Sequence, residues 1–309
     1  MTIELYTGNA VDVLKKLDSE SVQTVITSPP FYKQRFYGNK DEIGQEKTVN
    51  DYLINLIDVF DECKRVLKKD GSLWIEINDS YNQKTGSLYG VPQRLYSDLL
   101  DRGWISRNEI IWFKRNCMVG PWKTRFTIDF SHFYWFTKSR KYKFNTQYEP
   151  MKYQYKNLEY NGKATKDYES GLAQNPSDSK RRILASYKKQ AIKFGGNKYP
   201  GKIENGTYSG NVWKPNEQLM RIKRTVWDIP VKPLEKGVNH FAAFTPALLE
   251  TPIAACSDED DIILDTFCGS GVTGIVAARM RRSFIGIDIS ESYIEMCKKR
   301  ILGQNISKS

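Results

Sequence analysis

Histidine is almost missing from this chain: His132 and His240 are the only two in 309 residues. They lie too far apart in sequence for paired metal-ligand spacing, so no metal centre is expected. Cysteine is scarce as well. Cys63, Cys117, Cys256, Cys268 and Cys297 form no Cys-x-x-Cys pair, and an odd number does not close into a disulfide framework. Reduced thiols are the simplest state. No apolar run approaches the length of a membrane span, and Met1-Thr2-Ile3-Glu4 opens no signal-peptide pattern. The expected protein is cytoplasmic and soluble, with no membrane partner. Its 40% of hydrophobic residues suffice for one large core with an insertion, or for two domains.

Positive charge is present in excess. The net charge is +11, and its placement matters more than its size. Residues 138–224 hold 20 Lys and Arg against 7 Asp and Glu, while the remainder holds 27 against 29. The whole excess therefore sits in one segment. A charge run is ordinarily a solvated face, but a concentrated excess of this kind points to a polyanion partner. The same segment carries nine of the eighteen tyrosines, with many Asn, Gly and Ser residues and little apolar periodicity. Its densest basic clusters are Lys180-Arg181-Arg182 and Lys188-Lys189. Composition alone also fits a linker, and the interleaved aromatics argue against disorder.

The rest of the chain is organised around 261–288, DIILDTFCGSGVTGIVAARMRRSFIGID. Ile262 to Leu264 form an apolar run expected of a strand buried on both faces, ending at Asp265. A glycine-rich turn follows, then a helical pattern through Ile275, Val276, Ala277 and Met280. A second strand, Phe284 to Ile287, ends at Asp288. This is half of a nucleotide-binding βαβ unit, with an acid placed to accept from ribose hydroxyls. Two features argue against a dinucleotide. The rest of the sheet must come from earlier in the chain, and Asp265 would crowd a pyrophosphate. A carboxylate there suits a ligand carrying an ammonium group.

Earlier in the chain, strands and helices alternate. A strand and turn at LYTGNA lead into a helix through Leu17. Val22 to Ile26 is a β-branched strand that runs into Ser28-Pro29-Pro30-Phe31. Two prolines end a strand abruptly and hold the next backbone extended, as a rigid ledge at the carboxyl edge of a sheet. Thr48 to Lys69 reads as an amphipathic helix stopped by Asp70-Gly71. Ser72 to Ile77 is the next strand, Pro92 starts another helix, and Ile105 to Phe113 and Phe133 to Thr137 are further strands. Thr225 to Pro230 returns to the compact core.

The segments DTFCGSG and FIGIDIS, together with Ser28-Pro29-Pro30-Phe31, resemble the cofactor and catalytic motifs of S-adenosylmethionine-dependent DNA amino-methyltransferases. KQRFYG, with Arg35 and Tyr37, resembles the loop trailing the catalytic motif in site-specific members. NHFAAFTPALLE resembles the segment before the glycine-rich strand, with Thr245 intervening after Phe244. Gly8-Asn9 stands where the family often has Gly-Asp, which leaves Asn9 a weaker adenine contact. Catalytic motif first, basic insert second and cofactor motif last is the permuted order of the family's β-group.

The resemblance implies an α/β fold: a seven-stranded, mostly parallel sheet with 1–137 as the catalytic half, 138–224 as the inserted target-recognition region and 225–309 as the cofactor half. The strands at Val22–Pro30 and Asp261–Gly271 should be neighbours. It implies S-adenosyl-L-methionine as cofactor, held by Asp265, Phe267, Cys268, Gly269, Ser270, Gly271, Asp288, Phe244 and Asn9. Double-stranded DNA would be the substrate, with Arg35 and the two basic clusters in contact with it and the target base flipped out. Ser28, Pro29, Pro30 and Phe31 would form the catalytic site. Serine in the first position implies cytosine N4 methylation, with adenine N6 the alternative. No Pro-Cys occurs to supply the thiolate of cytosine C5 chemistry. An RNA methyltransferase and a catalytically silent nucleic-acid-binding protein are further alternatives, and a partner restriction endonuclease would be the biological context.

Overall fold

The computed structural model describes residues 1–36, 38–39, 41–118, 120, 123–150, 202–204, 207–209, 220–231 and 244–306. In chain order its elements are β1 (Ile3–Thr7), α1 (Ala10–Leu14), β2 (Val22–Thr27), α2 (Val49–Val66), β3 (Leu67–Ile77), α3 (Val91–Asp101), β4 (Ile105–Phe113), β5 (Phe130–Thr137), β6 (Tyr148–Pro150), β7 (Lys202–Glu204), β8 (Thr207–Ser209), β9 (Met220–Ile222), β10 (Val226–Asp228), α4 (Pro246–Cys256), β11 (Ile262–Asp265), α5 (Val272–Arg279), β12 (Ser283–Asp288) and α6 (Glu291–Ile306).

One sheet dominates, in the order β1-β12-β11-β2-β3-β5-β4-β10. Every neighbouring pair is parallel except β3/β5 and β4/β5, so β5 alone runs against the rest. Among the described residues the sheet has eight strands, where seven were expected. The eighth is β10, three residues of TVWDIP that extend the β4 edge. It is held there because Trp227 is buried and the Trp112 indole donates to the Ile229 carbonyl at 2.8 Å.

Both faces of the sheet are covered. Alternate residues of one strand enter different cores, as a period of two dictates. Val25, Leu73, Leu264 and Ile285 pack with α1, α2 and α3. Ile26, Trp74, Ile263 and Phe284 pack with α4, α5 and α6. Trp74 stacks on Trp135 with ring centroids 5.1 Å apart. Each such side chain contributes about 1.5–3 kcal/mol by burial alone. This is why β11 opens as an apolar run, while β2, buried along its whole length, pairs its polar residues internally, as where Thr24 Oγ1 donates to the Cys256 carbonyl at 2.9 Å.

Several boundaries differ from the sequence reading, among them the start of β3 at Leu67, of β5 at Phe130 and the end of α1 at Leu14, and two have a clear cause. α2 ends at Val66, not Lys69, because Leu67 is fully buried and turns extended to pair with Val22 of β2. The chain divides into a first unit of Met1–Gln147 with Ile222–Ser309 and a second of Tyr148–Arg221. The second unit begins at Tyr148, ten residues after the start of the basic segment at Lys138. The intervening residues belong to the first unit: Phe144 stacks on Trp135, and Lys143 pairs with Asp261 at 2.9 Å. In the second unit, β6 pairs with β9 and β7 with β8. Lys180, Arg181, Arg182, Lys188 and Lys189 lie outside the described residues. Among the described residues no helix is long and apolar enough to cross a membrane.

Candidate active site

β2 and β11 are neighbours, with Thr24 opposite Ile263 and Val25 opposite Leu264. Parallel pairing brings both carboxyl ends to one edge. The ledge after β2 and the glycine-rich turn after β11 therefore face the same space, a cavity of about 390 Å³ within the first unit. That volume suits a small-molecule site.

The ledge is fixed from behind. The Tyr52 hydroxyl, on a fully buried ring, donates to the Pro30 carbonyl at 2.9 Å, and Ser80 Oγ donates to the Tyr32 carbonyl at 2.6 Å. Asp79 supports it less directly by accepting from the Gly90 and Val91 amides that open α3. Ser28, Pro29, Pro30 and Phe31 all line the cavity, as does Arg35. The Ser28 hydroxyl donates to Glu76 Oε2 at 2.5 Å. Glu76 is 5% exposed, and its other oxygen lies 3.5 Å from Lys114 Nζ. Lys114 also donates to Ser131 Oγ at 2.5 Å and sits 4.1 Å above the Trp112 ring. Since its proton is committed to Glu76, the Ser28 oxygen presents lone pairs to the cavity.

The turn after β11 is built around two carboxylates, one buried and one half-buried. Asp265 is 1% exposed. It accepts from Thr27 Oγ1 at 2.8 Å, Thr273 Oγ1 at 2.6 Å and the Phe267 amide at 3.1 Å. These donors favour the anion, but burial outweighs them and pushes the carboxyl up to about 6. Asp288 accepts from the Gly269 and Ser290 amides, each at 2.9 Å, and burial raises its pKa too. Asp265 thus ties β2 and α5 to the turn, and a carboxylate's four lone-pair sites leave one for a ligand.

Asn9, Phe244, Phe267, Cys268, Gly269 and Ser270 also line the cavity, and Gly271 stands just behind it at the start of α5. Asn9 Oδ1 already accepts from the Val11 amide and so caps α1. Cys268 is a neutral thiol: its hydrogen bond with Cys297 and its burial both raise its pKa well above the ordinary value. It is no nucleophile. Thr245, after Phe244, is the cap of α4, with Pro246 in the first helical position.

An adenosyl ligand with an amino-acid tail fits this wall. Asp265 and Asp288 both line it, and carboxylates are the acceptors that an ammonium and ribose hydroxyls require. Ser270 Oγ is buried with no hydrogen-bond partner among the described residues, a polar atom that a ligand would satisfy. Among the described residues no group of three or more His, Cys, Asp or Glu side chains could hold a metal ion.

The sequence reading missed Glu76, Lys114 and Trp112, which line the cavity, together with Thr27, which braces it. Glu76 carried a signal, an acid inside the otherwise apolar strand LWIEI. Lys114 carried none, because a lysine at the end of a strand is ordinarily at the surface.

The N6/N4 methyltransferase family model, described as DNA methylase, matches residues 22–299. The type II methyltransferase M.XycI of Xanthomonas campestris pv. cyanopsidis is 29% identical over 97% of this chain and 88% of its own. The DNA adenine methyltransferase YhdJ of Escherichia coli K12 is 28% identical over 95% and 81%. Among solved structures, the cytosine-N4-specific PvuII DNA methyltransferase superposes with a TM-score of 0.65 at 19% identity, covering 97% of this chain and 86% of that one. A putative DNA modification methylase of Thermus thermophilus, complexed with S-adenosyl-L-methionine, gives 0.58 at 21% identity, over 98% and 94%. At these identities the two structures establish the fold alone, and it is this one. By a family match that runs through both motifs and nearly the whole core, the chain belongs to the N6/N4 family of DNA methylases.

Proposed function

We propose that this protein methylates the exocyclic N4 amino group of cytosine in duplex DNA, with S-adenosyl-L-methionine as cofactor. The carrying observation is the Ser28 hydroxyl, held by Glu76 in the cavity that Asp265 and Asp288 also enter.

The cofactor supplies an electrophilic sulfonium methyl group. An exocyclic amino nitrogen is a poor nucleophile because its lone pair is delocalised into the ring. Ser28 Oγ and the Pro29 carbonyl accept its two hydrogens, so the nitrogen rehybridises and aims its lone pair at the methyl carbon. The methyl group would leave its sulfur as a neutral thioether, and the nitrogen would lose one proton to Ser28 Oγ as Ser28 passes its own to the Glu76 carboxylate. Phe31 stacks on the base. Because the target atom is buried in a duplex, the base must leave the stack to reach the ledge. Orientation and preorganised polar groups carry the acceleration, and no covalent enzyme intermediate is needed. Asp265 holds the ammonium of the amino-acid tail, Asp288 the ribose, and Asn9 borders the adenine.

Residues 148–221, with their basic clusters, recognise the site, and Arg35 contacts DNA beside the ledge. The curated relative M.XycI is named a type II methyltransferase, which supports a place in a restriction–modification system with a partner nuclease. Adenine N6 is the second reading, favoured by the likeness to YhdJ.

The test incubates the protein with labelled S-adenosylmethionine and mixed-sequence duplex DNA, then separates the nucleosides by mass spectrometry. N4-methylcytosine is expected. N6-methyladenine would move the reaction to the other base, and no methylated nucleoside would overturn the reading. Ser28→Ala should slow transfer by about 10²–10³-fold while leaving cofactor affinity unchanged.

A further inference from the structure

Glu76 stands between an acceptor on the ledge and a cation just after β4. Ser28 Oγ and Lys114 Nζ sit at opposite oxygens of the Glu76 carboxylate, at 2.5 and 3.5 Å. All three line the same cavity. The Lys114 side chain is 20% exposed. An ammonium has three donors and no acceptor. One is directed at Ser131 Oγ and one at Glu76, and the third has no hydrogen-bond partner among the described residues, with the amine 4.1 Å from the centroid of the Trp112 ring that also lines the cavity. The 3.5 Å separation is longer than a tight charge-assisted bond of about 2.7–2.9 Å, so the amine is not seated for Glu76 alone.

The two candidate bases differ at this position. Beside the reacting amino group, cytosine presents the N3 and O2 acceptors. Adenine presents N1 and then a C2–H, which accepts nothing. With the amino group on Ser28, a cation beyond the far oxygen of Glu76 meets O2 in one base and a C–H in the other. A site built to hydrogen-bond one group rejects an analogue that lacks it, because the desolvated donor is left unpaired.

Resting on the cytosine reading above, we infer that Lys114 donates to the O2 carbonyl of the flipped base and is the residue by which the pocket prefers cytosine to adenine. It is a specificity determinant distinct from the Ser28–Glu76 pair that serves the amino group.

The experiment first finds the recognition site by sequencing the modified bases in DNA from cells making the protein. Single-turnover rates are then measured on duplexes carrying cytosine, 2-thiocytosine or adenine at the target position. The wild type, Lys114→Met and Lys114→Arg are compared, with cofactor affinity and melting temperature confirming that each variant is folded. Sulfur is the weaker acceptor, so the wild type should slow by about tenfold on 2-thiocytosine. Lys114→Met should slow by roughly 10- to 100-fold on cytosine, the usual range for one base-reading contact. It should lose nothing further on 2-thiocytosine, and its cytosine-to-adenine ratio should fall. Lys114→Arg should retain part of the sensitivity to sulfur. If Lys114→Met is as sensitive to sulfur as the wild type, or loses cytosine and adenine activity equally, Lys114 only supports Glu76 and the inference fails. An adenine product from the wild type overturns the base reading itself. That result appears before any variant is made, so the two failures are told apart.

Discussion

Asp265 braces the turn through three hydrogen bonds at some cost to stability. Its three protein donors do not offset its burial, so it titrates near 6 in the fold, against 3.8 as the unperturbed value. The sign follows from linkage. The unfolded chain releases its proton first, so stability falls as pH rises from about 3.8 to about 6, and the deficit stays constant above that window. Asp265→Asn removes the deficit. The variant should be more stable than the wild type at pH 7.5 by about 1–3 kcal/mol, with the gap closing near pH 4 in thermal melts. Cofactor binding should move the opposite way. If the carboxylate holds the ammonium, wild-type affinity for S-adenosylmethionine weakens about tenfold per pH unit below the carboxyl's pKa, while the variant binds poorly at every pH. Calorimetry from pH 5 to 8 checks this, and a flat wild-type profile would remove Asp265 from the ammonium site. A variant that is more stable but binds worse is the usual trade-off at a functional residue.

Among the elements, the turn into α5 is the most demanding. Gly271 has φ +78, and a Cβ there would meet Cys297 Sγ of α6 at 2.5 Å and its Cα at 3.1 Å. Glycine lets α6 lie directly against the turn, and backbone atoms cannot yield as a flexible side chain would. Gly271→Ala should cost about 1–3 kcal/mol and weaken cofactor binding, since the strain falls on the turn that presents Gly269 and Ser270. Denaturant unfolding and calorimetry would read both effects. The start of α2 makes a contrast. Thr48 Oγ1 accepts from the Asp51 amide at 3.1 Å and donates to the Asp51 carboxylate at 2.8 Å, at an exposed position. Thr48→Ala should cost about 1 kcal/mol in unfolding and leave methyl transfer intact. A loss of activity there would mean that α2 does more than brace the ledge through Tyr52.

For the whole molecule, the separation of charge sets an expectation for how DNA would be held. Residues 138–224 carry the basic excess, and the remainder is close to neutral. Phosphate contacts release counterions, so log affinity should fall linearly with log salt, with a slope near −0.9 per neutralised phosphate. Replacing Lys180, Arg181 and Arg182 with alanine should flatten that slope by up to about 3 units while leaving the methylated base unchanged. Fluorescence anisotropy on a duplex between about 50 and 200 mM salt measures the slope. An unaltered slope would assign those residues to a solvated face.

The fold class, the family and the two ends of the site are legible in the amino-acid order, because each is written in contiguous residues. Buried strands need apolar runs, as at Ile262 to Leu264. A strand that stops at Pro29-Pro30 must leave a rigid ledge, and a turn that needs positive φ must carry glycine, as at Gly271. The ends of α2 and of the insert were less legible. Leu67 fits a helix by periodicity and a strand by its burial beside Val22, and only the packed sheet settles which. Charge placed Lys138 to Gln147 with the insert, while the contacts of Lys143 and Phe144 place them with the core. The middle of the site exists only once the chain has folded. Glu76 sits 48 residues from Ser28, and Lys114 a further 38 from Glu76. No local pattern relates one residue inside β3 to two that follow β2 and β4, and β5 must run antiparallel between β3 and β4 before they share a wall.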